Sequence, residues 1–203
     1  MKIYPHFSVV GFCNTYVVGP DGGGDSIIID PGHVDSPLVS LLCQARFTPK
    51  AVLLTHTHSA HSQGLGTLEK VYEHLDIYAG STHGLNEEHL VVEDGHSYQI
   101  AGFTVKAMHI PGHSIDSMVY VIGHAIFTGD TLEASLVAHT SGYLEHELLT
   151  ASIKQRLTSM DTNYLVFPGH GTISKIGIER LFNEDLNELD NLKFWSADRS
   201  NTV

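Results

Sequence analysis

Short apolar runs separated by turns that contain glycine or proline dominate the first third of the chain. The runs at residues 7–12, 15–18 and 26–29 predict three strands, which we expect to form an antiparallel meander. Apolar residues at helical spacing over residues 37–45 predict a helix, and the brief apolar run at 51–54 predicts a buried strand. The chain therefore begins with a group of strands and a helix connected by short turns.

The rest of the chain continues with a second group of strands and more helices. A helix over residues 62–75 and a strand over 76–79 come first. The later predicted strands are at 98–100, 103–110, 118–122, 125–128 and 164–167, and the later predicted helices are at 144–158 and 176–192. Two blocks of strands with helices between and after them predict an α/β fold, a four-layer αββα sandwich of two mixed β-sheets flanked by helices. The weakly patterned segment between Thr128 and Leu144 is expected to be a loop that lines the functional site.

Composition narrows the class of protein and its partners. A length of 203 residues with 42% hydrophobic and 17% charged residues predicts a single globular domain over residues 1–203. A formal net charge of −12, with 11 Lys and Arg residues in total, argues against a nucleic-acid partner. The sequence contains no apolar segment of export-signal or membrane-spanning character, so we expect a cytoplasmic protein without a membrane partner. Cys13 and Cys43 are expected to be free, buried thiols. The oligomeric state is not predicted.

Histidine is unusually abundant, and three of the 15 histidines lie close together in the sequence. His56, His58 and His61 directly follow the apolar run at 51–54, where a strand ends and a helix begins. They could simply cap that helix or face solvent. However, three neutral imidazoles crowded at a strand exit favour a metal site, because imidazole is a common zinc ligand.

Three further candidates share one local pattern, in which a predicted strand runs into a turn that contains glycine. His113 follows Ile-Pro-Gly, Asp130 follows Phe-Thr-Gly, and His170 follows Phe-Pro-Gly. Glycine allows a sharp turn that can present the next side chain to a common cavity. The repetition of the pattern predicts that these side chains converge.

In sequence order, these motifs resemble the metallo-β-lactamase fold, whose pattern is His-x-His-x-Asp-His followed by distant His, Asp and His. The match covers nearly the whole chain and includes the family-like turn Ile-Asp-Pro-Gly at 29–32. The resemblance implies two metal positions and assigns a role to each residue. Its ligand set is His56, His58 and His113 for a first metal, His61 and His170 for a second, and Asp130 as the bridge between them. Asp130 and His170 are also predicted to be catalytic, and the expected metal is Zn²⁺, as one or two ions, with Fe or Mn as alternatives.

The sequence departs from the family pattern at one position, where Ala60 replaces the expected Asp. That carboxylate would bind the second metal and accept a hydrogen bond from the nucleophilic water, so its loss should weaken the second site. Solvent, or an oxygen of Ser59 or Asp116 after a local shift, could fill the gap, although ordinary surface roles are expected for both residues. Asp30 is expected to form a turn rather than to support the site.

Other histidines lack a counterpart in the family pattern. His109 is expected to be a strand residue paired with a neighbour. The rest are expected to be surface or core residues, and they include His74, His83, His89, His124, His139 and His146.

The resemblance extends to small glyoxalase II-like members, which cleave hydroxyacyl thioesters. It implies a metal-dependent hydrolase whose metal-bound hydroxide attacks a thioester or ester of a small-molecule substrate. The alternative is a non-catalytic or weakly catalytic metal-binding protein in which Ala60 marks a degenerate second site.

Overall fold

The computed structural model describes residues 1–82 and 88–187. Two six-stranded sheets face each other within these ranges. The first sheet contains β1 (Lys2–Phe7), β2 (Asn14–Gly19), β3 (Gly24–Ile29), β4 (Phe47–Leu53), β5 (Asp76–Ala79) and β6 (Leu90–Val91), in that spatial order. Next along the chain come β7 (Ser97–Ile100), β8 (Phe103–His109), β9 (Met118–Ile122), β10 (Ala125–Gly129), the hairpin strands β11 (Leu132–Glu133) and β12 (Leu136–Val137), β13 (Leu165–Pro168) and β14 (Ser174–Lys175). The second sheet has the order β14-β13-β10-β9-β8-β7, and β11 and β12 pair separately.

Both sheets are mixed, as the sequence predicts. The first begins with an antiparallel meander of β1, β2 and β3, and continues with parallel pairing from β3 to β6. In the second sheet β10 pairs in parallel with β13, and the other neighbours are antiparallel. As a result β8, β10 and β13 all run in the same direction, and their carboxyl ends lie at one edge of the sheet.

Five helices are present in the described ranges: α1 (Ser36–Ala45), α2 (Ser59–Ser62), α3 (Leu65–Val71), α4 (Tyr143–Arg156) and α5 (Ile176–Phe182). Three apolar clusters separate the layers. One lies between the sheets, one joins the outer face of the second sheet to α4 and α5, and one joins the outer face of the first sheet to α1 and α3. The predicted four-layer αββα sandwich is confirmed.

Helix α1 shows how local sequence fixes an element of this layout. The side chain of Asp35 accepts a hydrogen bond of 2.9 Å from the backbone N–H of Leu38, which satisfies a donor that the first turn leaves free. The helix ends at Arg46, whose φ of 56° is left-handed. Leu38 and Leu42 are buried against the first sheet. The prediction of a helix here is confirmed almost to its ends.

Two predicted elements are wrong in extent. Residues 7–12 do not form a strand, because the strand ends at Phe7 and both Gly11 and Phe12 have positive φ values, 79° and 53°.

The helix predicted over 62–75 is divided into α2 and α3. The division falls at Gly64, whose backbone N–H donates to the carbonyl of Pro31 at 2.8 Å in an approach too close for a side chain. The last part of the predicted helix 176–192, beyond residue 187, lies outside the described residues, as does His83.

Several minor predictions also need correction. The short strands β6 and β14 were not predicted, and the segment expected to be a loop after Thr128 carries the β11–β12 hairpin. Cys13 is a free, buried thiol as predicted, but Cys43 is exposed. No helix in the described part of the chain is long and apolar enough to cross a membrane.

The packing of α4 generates a test of the layer between this helix and the second sheet. Leu149 is fully buried, whereas its neighbour Leu148 is 60% exposed. Truncating Leu149 to Ala removes buried methyl groups and leaves a cavity, so Leu149→Ala should lower the free energy of unfolding by about 2–5 kcal/mol. Leu148→Ala is the matched control and should change it by less than about 0.5 kcal/mol. Urea denaturation measures both, and equal losses would contradict this placement of the helix.

Candidate metal centre

The predicted ligands all follow the carboxyl ends of strands that run in the same direction within their sheets. In the first sheet β3 leads to Asp30 and its parallel neighbour β4 leads to His56. In the second sheet β8, β10 and β13 lead to His113, Asp130 and His170. The sheets are joined at this edge, since the backbone N–H of residue 118 donates to the carbonyl of residue 55 at 2.7 Å. The topology therefore brings side chains from both sheets to one place.

The carboxylate of Asp130 is the common neighbour of four imidazoles. Its Oδ2 lies 3.7 Å from Nε2 of His56 and 3.5 Å from Nε2 of both His113 and His170. Its Oδ1 lies 3.3 Å from Nε2 of His61. The residue is only 8% exposed. One carboxylate oxygen thus faces the first predicted ligand group and His170, and the other faces His61, which is the arrangement expected of a bridging ligand.

The orientation of His56 and His61 is set by Asp30. The backbone N–H and the hydroxyl of Thr55 donate to the two carboxylate oxygens of Asp30 at 2.8 and 2.7 Å. Since that hydroxyl donates its proton to Asp30, it accepts from Nδ1 of His56 at 3.1 Å. Nδ1 of His61 donates directly to Asp30 at 3.1 Å. Both rings therefore carry their proton on Nδ1 and turn an unprotonated Nε2 towards Asp130.

Backbone carbonyls orient two more imidazoles in the same way. Nδ1 of His113 donates to the carbonyl of His139 at 3.2 Å, and Nδ1 of His170 donates to the carbonyl of Phe12 at 2.9 Å. In each ring Nε2 is left with a lone pair directed at the centre. His139, which was expected to be an ordinary surface or core residue, contributes to the site through its main chain.

This arrangement is unfavourable unless a positive charge lies within it. One pair is satisfied without an ion, because His113 carries its proton on Nδ1 and its Nε2 can accept a hydrogen bond from Nδ1 of His58 at 3.1 Å. Within the described residues, Nε2 of His56, Nε2 of His61 and Oδ1 of Asp130 are buried without a hydrogen-bond partner. Ligand atoms about 2.1 Å from a tetrahedral Zn²⁺ lie about 3.4 Å from one another, close to the separations found here. The residues present fit a metal ion.

The ligand atoms form two overlapping groups of metal-binding size in the described part of the chain. One contains His56, His58 and His113, which is the predicted first set. The other contains His56, His61 and Asp130. His170, predicted for the second metal, lies at the margin of that group, with its ring centroid 5.3 Å from that of His61. All six predicted ligands are therefore brought together in one region.

Burial and the neighbouring charges together set the protonation states of the buried groups. Burial alone would raise the pKa of Asp130, but the imidazoles of His61, His56 and His170 outweigh it and lower this pKa to about 2. Burial, aided by the charge of His61, lowers the pKa of His56 to about 4. Burial also disfavours a charge on His61, yet Asp30 and Asp130 raise its pKa to about 10. A proton on His61 is thus the alternative positive charge when no metal is bound.

The substituted position, Ala60, is half-buried and lies against Gly11 and Cys13. Its methyl group packs against Gly11, and its carbonyl accepts a hydrogen bond from the thiol of Cys13 at 2.7 Å. Ser59 is exposed. Asp116 is not the ordinary surface residue that was expected, because it is 7% exposed and accepts a hydrogen bond of 2.9 Å from the backbone N–H of Thr57. It supports the backbone of the histidine turn from outside.

The role assigned to Asp30 from the sequence was therefore wrong. It does occupy a turn, with a left-handed φ of 51°, but its carboxylate is 2% exposed and holds His61 and Thr55 in place. The sequence carries a partial signal, because Asp30 directly follows a strand as Asp130 does, although its glycine comes after it rather than before it. His109 behaves as predicted, since its Nε2 donates to the carbonyl of Ile115 at 2.7 Å.

Comparison with known proteins identifies relatives of this arrangement. The family model described as "Metallo-beta-lactamase superfamily" matches residues 8–170. An uncharacterized protein of Mycobacterium tuberculosis is 33% identical over 216 residues, covering 87% of this chain and 94% of that protein. An atrochrysone carboxyl ACP thioesterase of Cryptosporiopsis is 32% identical over 168 residues, covering 79% of this chain and 49% of the fungal protein.

Solved structures agree with the fold. The B3 metallo-beta-lactamase BLEG-1 superposes with a TM-score of 0.80 at 27% identity, covering 91% of this chain and 99% of that one. The protein TTHA1623 in a di-iron-bound form superposes with a TM-score of 0.73 at 26% identity, covering 89% of this chain and 98% of that one. The similarity therefore extends over most of the architecture described above.

The contacts of Asp30 lead to a test of how the centre is held together. In Asp30→Asn the amide nitrogen cannot accept the proton of His61, although Asn tolerates the left-handed backbone. We expect this variant to bind Zn²⁺ about 10- to 100-fold more weakly than the wild type, as measured by competition with a chromophoric chelator. Asp25→Asn, at an exposed position of the same strand, is the matched control. Equal affinities of the two variants would contradict the role assigned to Asp30.

Proposed function

Because the chain belongs to the metallo-β-lactamase superfamily, we propose that it is a metal-dependent hydrolase that cleaves a thioester or ester of a small-molecule substrate. The observation that carries this proposal is the convergence of His56, His58 and His113. Each presents an imidazole nitrogen to a single point beside the Asp130 carboxylate. Three neutral imidazoles with one position left for solvent or substrate form the open ligand set typical of catalytic zinc.

The chain's own residues supply the positioning that such a reaction needs. A bound metal ion would polarise the substrate carbonyl and lower the pKa of a coordinated water to about 7. Asp30 and the two backbone carbonyls hold the rings of His61, His113 and His170 through Nδ1, so their Nε2 atoms already face Asp130. The Asp130 carboxylate stays ionised down to a pH of about 2, so it can bind metal throughout the physiological range. We propose Asp130 and His170 as the residues nearest the reacting water.

The substrate class is supported by a relative. The fungal protein that matches this chain is named an acyl carrier protein thioesterase, and the chain spans about half of its length. Thioester cleavage needs a nucleophile and a stabilised oxyanion at the carbonyl, and both fall within the chemistry of a zinc-type centre. We therefore propose thioesters ahead of other esters, with Zn²⁺, iron or manganese as the metal. A cytoplasmic location and the absence of nucleic-acid and membrane partners stay predictions from composition.

A second candidate function is favoured by Ala60. Within the described residues, the second group of ligands has one carboxylate, Asp130, and shares His56 with the first group. If the second metal is required for turnover, the protein would bind metal without efficient catalysis. The two candidates differ in the result expected when a carboxylate is restored at position 60.

The first test is thioesterase activity of the metal-loaded protein. We expect the wild type to hydrolyse S-acetyl-N-acetylcysteamine and His113→Ala to lose at least about 100-fold in kcat/KM, because the first metal loses one of its three imidazoles. His96→Ala is the control, since this side chain is 61% exposed and contacts only Glu93 and the backbone of Asp94. The released thiol is measured with a disulfide reagent. Undiminished activity of His113→Ala would rule out this centre as the source of the activity.

The second test is the metal content of Ala60→Asp and the wild type after purification without added metal. We expect the wild type to retain one ion tightly and Ala60→Asp to retain two, because Gly11 leaves the new side chain unobstructed by a neighbouring side chain. Elemental analysis against protein concentration gives the ratio. An inert wild type combined with an active Ala60→Asp would favour the metal-binding function over the hydrolase.

A further inference from the structure

Five large apolar side chains are exposed beside the metal centre. Four of them lie at the end of strand β1 or in the loop after it: Phe7, Val9, Val10 and Phe12, which are 55%, 68%, 41% and 67% exposed. The fifth, Ile115, is 87% exposed. We call these five residues the apolar rim. Single exposed apolar residues are common, but a group of them in one region of the surface is typical of a binding site.

The loop that carries most of the rim is attached to the second ligand group. The carbonyl of Phe12 accepts the hydrogen bond from His170 at 2.9 Å, and Gly11 packs against Ala60. The loop is closed by a hydrogen bond of 2.8 Å from the backbone N–H of Ser8 to the carbonyl of Cys13. The rings of Phe7 and Phe12 lie together, with their centroids 6.4 Å apart. Their position is therefore fixed relative to the metal centre.

Ile115 lies beside the first ligand group. It follows His113 by two residues, and its carbonyl accepts the hydrogen bond from His109 at 2.7 Å. The next residue, Asp116, binds the backbone of Thr57 in the histidine turn. The apolar rim thus has members next to both ligand groups.

The chain segments that form this region carry carboxylates rather than Lys or Arg. No Lys or Arg occurs in residues 7–14, 55–63, 109–117, 128–142 or 167–173, the segments that carry the ligands and the apolar rim. Arg156 reaches the carbonyl of His109, but its guanidinium is paired with Asp94. These segments therefore offer the carboxylate of a charged acyl group no Lys or Arg of their own, whereas they carry Asp116, Asp130 and Glu133. Burial raises the pKa of Glu133, with the charge of Asp130 acting in the same direction. The surroundings favour an uncharged group.

We propose that the apolar rim binds the uncharged, apolar acyl chain of the thioester substrate, an inference that rests on the hydrolase function proposed above. The thioester carbonyl would lie at the metal centre while the chain lies along Phe12 or Ile115. The choice of acyl group then depends on removal of apolar surface from water rather than on ion pairing.

The test compares three N-acetylcysteamine thioesters that differ only in the acyl group: acetyl, hexanoyl and succinyl. The wild type should prefer hexanoyl over acetyl by about tenfold in kcat/KM, less than full burial of four methylene groups would give. Succinyl should be the poorest substrate. In Phe12→Ser and Ile115→Ser the hexanoyl-to-acetyl ratio should fall by about fivefold, mainly through a higher KM for hexanoyl.

Phe182→Ser is the matched control for Phe12→Ser, because Phe182 is 66% exposed on α5, away from the segments that carry the ligands. Its hexanoyl-to-acetyl ratio should equal that of the wild type. An equal ratio in Phe12→Ser and Phe182→Ser, or a preference for succinyl, would overturn the proposal.

A binding measurement separates this inference from the hydrolase function. The thioether S-hexyl-N-acetylcysteamine has no thioester bond to cleave, so calorimetry measures binding of the apolar chain without hydrolysis. Weaker binding of this probe to Phe12→Ser than to Phe182→Ser supports binding of the acyl chain at the apolar rim, even if no thioester is hydrolysed. A wild type that hydrolyses thioesters without binding the probe would refute acyl-chain binding at the apolar rim but not the proposed hydrolase function. Sedimentation that shows a dimer dissociated by the rim substitutions would assign the rim to a second copy of the chain and overturn the proposal.

Discussion

The arrangement of the centre depends on one electrostatic constraint, which is that a buried carboxylate faces several unprotonated imidazole nitrogens. Oδ1 and Oδ2 of Asp130 lie 3.3–3.7 Å from Nε2 atoms on both sheets. Lone pairs that face each other at these distances repel unless a cation or a proton lies among them. The hydrogen bonds on the outer side of each ring hold this otherwise unfavourable arrangement in place before any ion arrives. Metal affinity is thus built into the fold through donors and acceptors that never touch the metal.

The backbone geometry that makes this possible is the close approach of several turns. A side chain at Gly129 would collide with Thr55, and one at Gly169 would collide with Asp130 and His61. The backbone N–H of Gly169 donates to the carbonyl of Gly129 at 2.8 Å, which draws the β10 and β13 turns together. The glycines before Asp130 and His170 are therefore needed for space, and Gly129 also for its left-handed turn, with a φ of 50°. This explains why a repeated strand-glycine-ligand pattern in the sequence corresponds to one point in the structure.

The sequence predicts the fold and the convergence of the candidate ligands because both depend on patterns of short range. Strand periodicity and glycine turns locate the strands to within a few residues, and the ligands directly follow them. The prediction from sequence fails where the structure or role of a residue depends on a contact with a residue distant in sequence. The loop after Phe7 is apolar enough to suggest a strand, but its backbone is shaped by contacts with residue 60 and with His170. The carboxylate of Asp30 gains its role from Thr55 and His61, and nothing within its own turn distinguishes it from an ordinary turn residue.

The loss of the carboxylate at position 60 removes a ligand without removing the frame that surrounds it. His61 is held by Asp30, His170 by the carbonyl of Phe12, and Asp130 by the imidazoles on both sides, so none of them relies on residue 60 for its orientation. A second ion would find its remaining ligands already placed, with solvent in the fourth position. Its affinity should therefore fall through the missing charge alone, because no reorganisation adds to the cost. For this reason the substitution weakens the second position selectively and leaves the first trio of histidines as a complete site.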